Sequence, residues 1–447
     1  MNVKLDKNSL LSILNDWNLW NHDLKTGVER RGYLEKLQAW LKTNQILVIT
    51  GPRRAGKSFL MRQLAKKLIQ SGVPLSEILM VNFEDPRFGS LNTQVLDEIY
   101  KGYLEILNPK GKPYLFLDEI QEVTDWEKWV RMMHELDKVK LIISGSNARL
   151  LSQELATLLT GRHLSLTVFP FSFQEQAQSI PCASELEQDH HRVELSRLMN
   201  EQIEFGSFPE IAHTPLEERK QVLLQYYDDI LNRDLIRRYR VRKPEQLKSL
   251  ARYYFSQQGS LITFSSIEKF LHISADTIEK FSSYFEEAYL FFFVKRFSFK
   301  MKEQGKSPRK VYAVDTGLAN AIGFRSSPNW GRLMEGLVFL HLARKRVETP
   351  DFEIYYWKDD QHREVDFVIK EQLKVSQLIQ VCWLSSSGVS EDPAQYQTKI
   401  RETQSLLRGL EAFKKNEGWV ITENYEATEE IEGKQIHFLP LLKWLLL

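Results

Sequence analysis

The most specific chemical pattern in the chain is a glycine followed, after four residues, by Gly-Lys-Ser. It occupies Gly51, Pro52, Arg53, Arg54, Ala55, Gly56, Lys57 and Ser58. Glycines let a loop wrap closely around phosphate oxygens, and the N-terminus of a following helix favours their negative charge. In such a loop Lys57 would contact the β- and γ-phosphates, and Ser58 would ligate Mg²⁺. The pattern therefore predicts a P-loop that binds ATP with Mg²⁺.

The residues on either side of this loop fit the motif. An apolar run at 46–49 predicts a buried strand before it, and helix-favouring residues follow Ser58. A chance match in a glycine-containing turn is the alternative, which average residue frequencies give in roughly one chain of this length in a hundred. The strand before the loop and the helix after it favour the P-loop.

A pair of acids follows a second apolar run. Residues 114–117 predict a buried strand, and Asp118 and Glu119 come directly after it. A parallel strand would place both carboxylates at the edge of the sheet that carries the P-loop. There Asp118 would hold Mg²⁺ through water, and Glu119 would polarise the attacking water. A strand that ends in carboxylates is common and by itself a weak signal. Here one strand-helix unit separates the pair from the P-loop, and this spacing is typical of a hydrolytic site.

Two further candidates concern the γ-phosphate. The run at 139–144 predicts another buried strand, and polar residues follow it. In hydrolytic P-loop enzymes a polar residue at this strand end senses the γ-phosphate, so Asn147 is the first candidate and Ser146 the second. An ordinary turn or helix cap is the open alternative for each. A helix is predicted at 150–160, and Arg162 beyond it is a candidate arginine finger, with a surface arginine as the alternative.

The order of the elements predicts the fold class. From 45 to 173 strands alternate with helices, which predicts an α/β domain with the doubly wound parallel sheet of a P-loop NTPase. Residues 1–44 are predicted to form a helical lead-in, and 174–245 a helical segment. A winged helix at 246–320 and a second α/β domain at 325–447 are predicted to follow.

The composition fits a protein with several cores and little net charge. A chain of 447 residues exceeds one ordinary core, so about two to four domains are expected. The 60 basic and 59 acidic residues exclude nucleic-acid binding through overall charge. Cys182 and Cys382 form neither a zinc spacing nor a disulfide framework, which fits a reducing compartment. With no predicted membrane span or secretory signal, a cytoplasmic location is expected.

The pattern at 246–320 is typical of a winged helix. Three predicted helices precede two β-like runs, at 291–299 and 309–314. Basic residues concentrate in the segment 233–243 and at the tip of the wing, 300–310, which contains Lys300, Lys302, Lys306, Arg309 and Lys310. DNA phosphates are one candidate partner for these segments. A lid or a protein dock is the alternative, since the third helix offers Lys280 but no run of base-reading side chains.

The last domain has the layout of a PD-(D/E)xK nuclease, a restriction-endonuclease-like α/β fold. A predicted helix carries Glu335, a strand carries Asp366, and the next strand places Gln380 and Cys382 on one face. An active site of this type needs an acid and a lysine at the last two positions. Gln ligates a metal weakly and Cys supplies no ammonium, so the site is predicted to be degenerate, a structural remnant. A residual metal site at Glu335 and Asp366 is the alternative.

An ordered set of segments resembles a prokaryotic family of AAA-type P-loop ATPases, related to the AAA+ and STAND ATPases, with a winged helix and a C-terminal nuclease-like domain of unknown function. The segments are GPRRAGKS, VNFEDPR, LDEIQEVTDW, SGSNARLL, TGR, FPFSFQE, KVYAVDTGL and EVDFVIK. The resemblance implies an ATPase core with Lys57, Ser58, Asp118 and Glu119 in their usual roles. It implies no substrate. Gln380 and Cys382 depart from related domains that keep an acid and a lysine.

Two hypotheses of function follow. In the first, ATP binding and hydrolysis reposition the winged-helix and nuclease-like domains, which dock on a protein partner. In the second, the chain is an ATP-dependent DNA-processing enzyme that tracks phosphates with its basic segments and holds a metal at Glu335 and Asp366. A nucleotide-binding scaffold without turnover is a third alternative. A homo-oligomer is also open, because Arg162 would act either within one chain or across a subunit interface.

Overall fold

The computed structural model of the protein describes residues 7–148, 161–182, 184–298, 300–324, 329–349 and 351–447. The chain divides into two compact units, Met1–Val168 and Phe169–Leu447. The helix predicted at 150–160 lies outside the described residues. Within the described ranges, no helix is long and apolar enough to cross a membrane.

The first unit is built on a five-stranded parallel sheet. Its strands are β1 (Ile46–Thr50), β2 (Ile78–Asn82), β3 (Tyr114–Asp118), β4 (Lys140–Gly145) and β5 (His163–Thr167). Their order is β2-β3-β4-β1-β5, and every neighbouring pair is parallel. The carboxyl ends of β1, β3 and β4 therefore meet at one edge, which is where open sheets of this kind bind ligands. The predicted P-loop NTPase-like sheet is confirmed.

In the described residues of this unit, five α-helices cover the two faces of the sheet. They are α1 (Lys7–Trp17), α2 (Arg31–Leu41), α3 (Lys57–Gln70), α4 (Thr93–Leu107) and α5 (Trp126–Glu135). Val48 of β1 packs in a core with α1, α4 and α5, whereas its neighbours Leu47 and Ile49 pack in a core with α2 and α3. Alternate strand residues thus face opposite cores, which explains why the strands read as continuous apolar runs.

The second unit begins with helices, as the sequence predicts for 174–245. These are α6 (Phe173–Gln176), α7 (Glu185–His190), α8 (Arg192–Phe205) and α9 (Leu216–Asp229). Ser172 and Glu175 form a capping box at the start of α6. Helix α9 continues into a π-helix, Ile230–Arg237.

A small antiparallel sheet with helices around it follows. The helices are α10 (Pro244–Ser256), α11 (Phe264–Leu271), α12 (Ala275–Glu287), α13 (Met301–Lys306) and α14 (Thr316–Ile322), and the strands are β6 (Leu261–Ile262), β7 (Phe291–Val294) and β8 (Arg309–Ala313). The sheet order is β6-β8-β7. The prediction extended β7 to residue 299, but the strand ends at Val294. Beyond Val294 the chain pairs with Tyr356 instead: the backbone N–H of Phe297 donates to the carbonyl oxygen of Tyr356 at 2.6 Å.

The chain ends in a six-stranded mixed sheet. Its elements are α15 (Trp330–Glu348), β9 (Phe352–Lys358), β10 (Glu364–Glu371), β11 (Lys374–Cys382), α16 (Ser386–Glu391), α17 (Pro393–Ala412), β12 (Glu417–Thr422), β13 (Ala427–Ile431), β14 (Lys434–Pro440) and α18 (Leu441–Leu446). The order is β13-β14-β12-β11-β10-β9, with β11, β12 and β14 parallel and the other pairs antiparallel. The edge strand β13 was not predicted, because its sequence ATEEI is largely polar.

His341 makes the stability of the second unit sensitive to acid. The imidazole on α15 lies 5.5 Å from the Trp444 ring between centroids. Burial, with the charges of Arg344 and Lys345, lowers the pKa of His341 to about 4. In the unfolded chain the His341 imidazole has a pKa near 6.5, so the unfolded state takes up a proton at a higher pH than the folded state does. The unfolding free energy is therefore highest above pH 6.5 and decreases as the pH falls towards 4. The loss is on the order of 2 kcal/mol, since the ring keeps some exposure.

Urea unfolding of the wild type and of His341→Gln, at pH 7 and at pH 4.5, measures this effect. We expect the wild type to lose more unfolding free energy between the two pH values than the variant loses, by on the order of 2 kcal/mol. Equal losses in the two proteins would show that His341 is not the group that titrates.

Candidate functional site

The predicted P-loop connects β1 to α3 and has the backbone that the motif requires. Gly51 has φ 136°, and a Cβ there would lie 2.1 Å from the carbonyl oxygen of Val168, so only glycine fits. Gly56 has φ 95° and is the N-cap of α3. The N-terminus of a helix of 14 residues is thus directed at the loop, which favours a bound anion.

Lys57 lies inside this loop. Its Nζ donates to the carbonyl oxygens of Gly51 at 3.1 Å and Pro52 at 3.0 Å. The same atom lies 3.7 Å from Oε1 of Glu119. The side chain is buried, so its positive charge is held between the loop and the acid pair that follows β3.

The acid pair and Ser144 are joined by hydrogen bonds at the carboxyl edge of the sheet. Ser144 Oγ donates to Oδ1 of Asp118 and accepts from the backbone N–H of Glu119 at 3.2 Å. Burial and the charge of Glu119 raise the pKa of Asp118, while hydrogen bonds from Ser144 and Ser58 oppose the rise. Ser58 and Asp118 therefore lie within hydrogen-bond reach of each other. A hydroxyl and a carboxylate suit Mg²⁺, which takes oxygen ligands, so these two residues would hold the ion.

Glu119 also contacts the end of β4. Its Oε2 accepts from the backbone N–H of Ser146 at 3.2 Å and from the side-chain amide of Gln121. Glu119 has a positive φ of 52°, which turns it out of the strand direction. Ser146 and Asn147 are both buried here. The structure thus brings together the acid pair and the segment that contains the two candidate γ-phosphate sensors.

Arg162 lies at the opposite end of the sheet. It precedes β5, and its carbonyl oxygen accepts from the N–H of Ile46 at 3.0 Å, at the start of β1. The P-loop begins after Thr50, so about five strand residues, roughly 16 Å, separate it from Arg162. The guanidinium pairs with Glu135 at 3.1 Å. The structure therefore does not bring Arg162 to the P-loop of its own chain.

Arg30 supports the loop, although no motif in the sequence identifies it. Arg30 is 2% exposed, and its Nη1 donates to the carbonyl oxygen of Ala55 at 3.0 Å. Its backbone N–H donates to Oε1 of Gln63, on α3, at 3.1 Å. The position of Arg30 shortly before the P-loop is the one signal in the sequence that could have pointed to this contact. At the outer side of the loop, Arg53 pairs with Glu84 at 2.8 Å.

A second polar cluster lies in the second unit, around Lys310. Its Nζ lies 2.9 Å from Oε1 of Glu335, 2.8 Å from Oε1 of Glu364 and 2.7 Å from Oδ1 of Asp366. The structure thus brings Glu335 and Asp366 together on one lysine. The prediction that Lys310 belongs to an exposed basic tip was wrong, because its side chain points inward from β8 and is 1% exposed.

The other two predicted positions of this cluster, Gln380 and Cys382, line the same cavity as Lys310, Glu335 and Asp366. Oε1 of Gln380 accepts from the N–H of Asp366 at 3.2 Å, and Nε2 of Gln380 donates to Oε2 of Glu402 at 2.7 Å. Burial raises the pKa of the Cys382 thiol, so it stays protonated. The cavity that these residues line has a volume of about 580 Å³. In the part of the chain that the structure describes, no group of three or more His, Cys, Asp or Glu has the arrangement of a metal site.

The protonation states within this cluster follow from its contacts. Burial opposes the charge of Lys310, but Asp366, Glu335 and Glu364 together raise its pKa well above the ordinary value. Burial raises the pKa of Glu335 to about 7. Tyr312 Oη donates to Oε1 of Glu335 at 2.6 Å, beside the bond from Lys310. Two donors on one oxygen favour the ionised carboxyl, so we take Glu335 as the charged partner of Lys310.

The first unit therefore has the fold of a P-loop ATPase domain. Residues 43–177 match a family model described as an AAA domain. Residues 196–328 and 330–444 match two models described as domains of unknown function, DUF8612 and DUF4143.

Comparison with whole proteins identifies the family. The chain is 32% identical over 413 residues to an uncharacterized protein of Methanocaldococcus jannaschii, covering 90% of this chain and 88% of that protein. It is 30% identical over 433 residues to an uncharacterized protein of Haemophilus influenzae, covering 94% and 99%. The chain belongs to the same family as these two proteins.

Solved structures give weaker similarities. The Aeropyrum pernix ORC1 protein in complex with DNA matches with 12% identity and a TM-score of 0.33, covering 71% of this chain and 96% of that one. A Saccharomyces cerevisiae Hsp104–ADP complex matches with 15% identity and a TM-score of 0.32, covering 62% and 51%. The assignment of the fold rests on the strand order and the family model.

Proposed function

We propose that the protein is a Mg²⁺-dependent ATPase that works as a nucleotide-driven switch. ATP binding and hydrolysis in the first unit change how the second unit engages a protein partner. The observation that carries the proposal is the convergence of Lys57, Ser58, Asp118 and Glu119 at the carboxyl edge of one parallel sheet.

Each of these residues has a chemical task in hydrolysis. Lys57 would exchange the loop carbonyls for phosphate oxygens and offset the charge that develops on the γ-phosphate. Ser58 and Asp118 would hold Mg²⁺. Glu119, no longer paired with Lys57, would accept a proton from the attacking water. Asn147, buried beside this group, is proposed to contact the γ-phosphate.

The second unit offers the surfaces that such a switch would move. Helices α10, α11 and α12 with the sheet β6-β8-β7 support the proposal of a winged helix. Glu335 on α15 and Asp366 on β10, close together, support the proposal of a nuclease-like fold. Arg162, exposed at the edge of the sheet opposite the P-loop, is proposed to act across a subunit interface.

The proposal is tested by two measurements on the full chain. The wild type should hydrolyse ATP when Mg²⁺ is present. Hydrogen–deuterium exchange in residues 169–447 should differ between ADP and a non-hydrolysable ATP analogue. Absence of turnover would overturn the ATPase, and identical exchange would leave an ATPase that is not a switch.

DNA binding has less support from the charges of the described residues. In the segment 233–243, Arg233 lies 3.8 Å from Asp229 and Arg238 lies 3.5 Å from Asp234. In the other basic segment Lys310 is buried. A gel-shift assay at low salt decides the matter, because binding through phosphates weakens steeply as salt rises. A salt-sensitive complex would favour the DNA-processing alternative.

A further inference from the structure

Lys310 occupies the centre of the acid cluster in the second unit. Carboxylate oxygens of Glu335, Glu364 and Asp366 all lie within 2.7 to 2.9 Å of its Nζ. We propose that Lys310 is a resident cation that takes the place of a divalent metal among these acids. The cluster then binds no metal and instead fastens β8 of the three-stranded sheet to α15 and β10.

The number and distance of the contacts match an ammonium. A lysine ammonium has three hydrogens to donate. Two go to Oε1 of Glu335 and Oδ1 of Asp366, and Oε1 of Glu364 forms an ion pair with the same ammonium at 2.8 Å. Distances of 2.7 to 2.9 Å are those of charge-assisted hydrogen bonds, whereas Mg²⁺ requires about 2.1 Å and Ca²⁺ about 2.3 to 2.6 Å. Glu364 and Asp366 are two residues apart on β10, so their side chains share one face.

The neighbouring polar groups hold the acids on the ammonium. Oδ2 of Asp366 accepts from the N–H of Val381 at 2.9 Å, so both of its oxygens have donors. Tyr312 donates to Glu335, and Nζ of Lys358 lies 3.6 Å from Glu364. A metal ion could enter only if the enclosed Lys310 left, because two cations cannot share this point. The residues present therefore do not fit the metal that a nuclease of this layout would use.

This arrangement has a consequence for the whole unit. Lys310 lies on β8 of the three-stranded sheet. Its partners lie on β10 of the six-stranded sheet and on helix α15. Removal of one member would leave buried charges without a partner. With Lys310 in place, the two sheets would respond to any signal as one body. The cluster would not carry out metal-dependent cleavage of a phosphodiester. The inference concerns residues 169–447 alone and stands whether or not the first unit hydrolyses ATP.

The test is a gain of metal binding. Lys310→Ala leaves three carboxylates around the vacated point, and we expect Mn²⁺ or Ca²⁺ to bind there and raise the Tm of the variant by roughly 5 °C near saturation. The wild type, without nucleotide, should show no such rise. Lys370→Ala removes another ion-paired lysine, which contacts Glu353 at 2.7 Å, and should gain no metal binding. In Lys310→Ala/Asp366→Asn the rise should disappear.

Three results would overturn the proposal. The first is that the wild type binds Mn²⁺ and Asp366→Asn abolishes this binding. The binding is measured as a loss of the EPR signal of free Mn²⁺. The second is a folded Lys310→Ala protein whose Tm does not respond to Mn²⁺ or Ca²⁺. The third is an equal response in Lys370→Ala. If Lys310→Ala does not fold even with Mn²⁺ or Ca²⁺ present, the EPR titration of the wild type still decides. The proposal is supported if the wild type shows no Mn²⁺ binding that Asp366→Asn removes.

Discussion

Replacing Glu119 with Gln is expected to slow ATP hydrolysis by about 10²- to 10⁴-fold, the usual contribution of a general base. The amide keeps the shape of the side chain and can still accept from the N–H of Ser146, which lies 3.2 Å from Oε2. It cannot take a proton from water. The fold and the loop around Lys57 should therefore be preserved while the chemical step is lost.

Nucleotide binding should respond in the opposite direction. Glu119 lies 3.7 Å from Lys57 and places a negative charge where the γ-phosphate is proposed to bind. Removing that charge frees Lys57 and lowers the repulsion of ATP. We expect Glu119→Gln to bind ATP at least as tightly as the wild type, so that ATP accumulates on the protein.

Loss of ATP turnover with retained ATP binding would distinguish a general base from a residue that only maintains the fold. Steady-state phosphate release and equilibrium binding of a fluorescent ATP analogue measure the two quantities. Glu122→Gln is the matched control, because Glu122 is exposed three residues further along, and it should hydrolyse ATP at the wild-type rate. Unchanged turnover in Glu119→Gln would exclude Glu119 as the base.

Much of the first unit could be predicted because its signals are local. Each buried strand reads as an apolar run, and the residues that follow β1 and β3 carry the chemistry. A parallel sheet then brings the ends of neighbouring strands to one edge, so Lys57 and Asp118 meet without any knowledge of side-chain contacts. The strand order places β3 two positions from β1, with β4 between them.

Predictions were weaker where strand direction or long-range contacts decide. Arg162 stands close after a predicted sensor segment in sequence, but it precedes β5, and a parallel strand starts at the edge opposite the P-loop. Arg30 binds the carbonyl of Ala55 through a contact 25 residues apart, which periodicity does not reveal. Ser144 ends an apolar run, and nothing local marks it as the link between Asp118 and Glu119.

Lys310 shows the same limit in the second unit. Among neighbouring basic residues it reads as part of an exposed tip. Strand alternation buries it instead, and its partners come from sequence positions 25 to 56 residues away. Lys310 thus adds a positive charge to the acid cluster from another element, at the point where the nuclease-like pattern would hold its metal. A motif search along one segment cannot find a charge supplied by a different sheet.

Replacing Lys57 with Ala is expected to abolish measurable ATP turnover, with a loss of at least about 10³-fold. Removing one preorganised charge at a transition state costs about 10² to 10³ in rate, and here ground-state binding suffers as well. The carbonyls of Gly51 and Pro52 lose their donor, and Glu119 is left without a counter-charge beside the phosphates. ATP affinity should therefore fall by at least about tenfold.

The control for this variant is Lys67→Ala, on the same helix. Lys67 is half-buried at the surface and pairs with Glu29 at 2.9 Å, so its removal should change turnover less than about twofold, on the order expected for a surface pair. Thermal unfolding of both variants shows whether the first unit remains folded. If Lys57→Ala is folded and still hydrolyses ATP, the triphosphate cannot be held between the loop and the acids at the end of β3, because that site depends on the Lys57 charge.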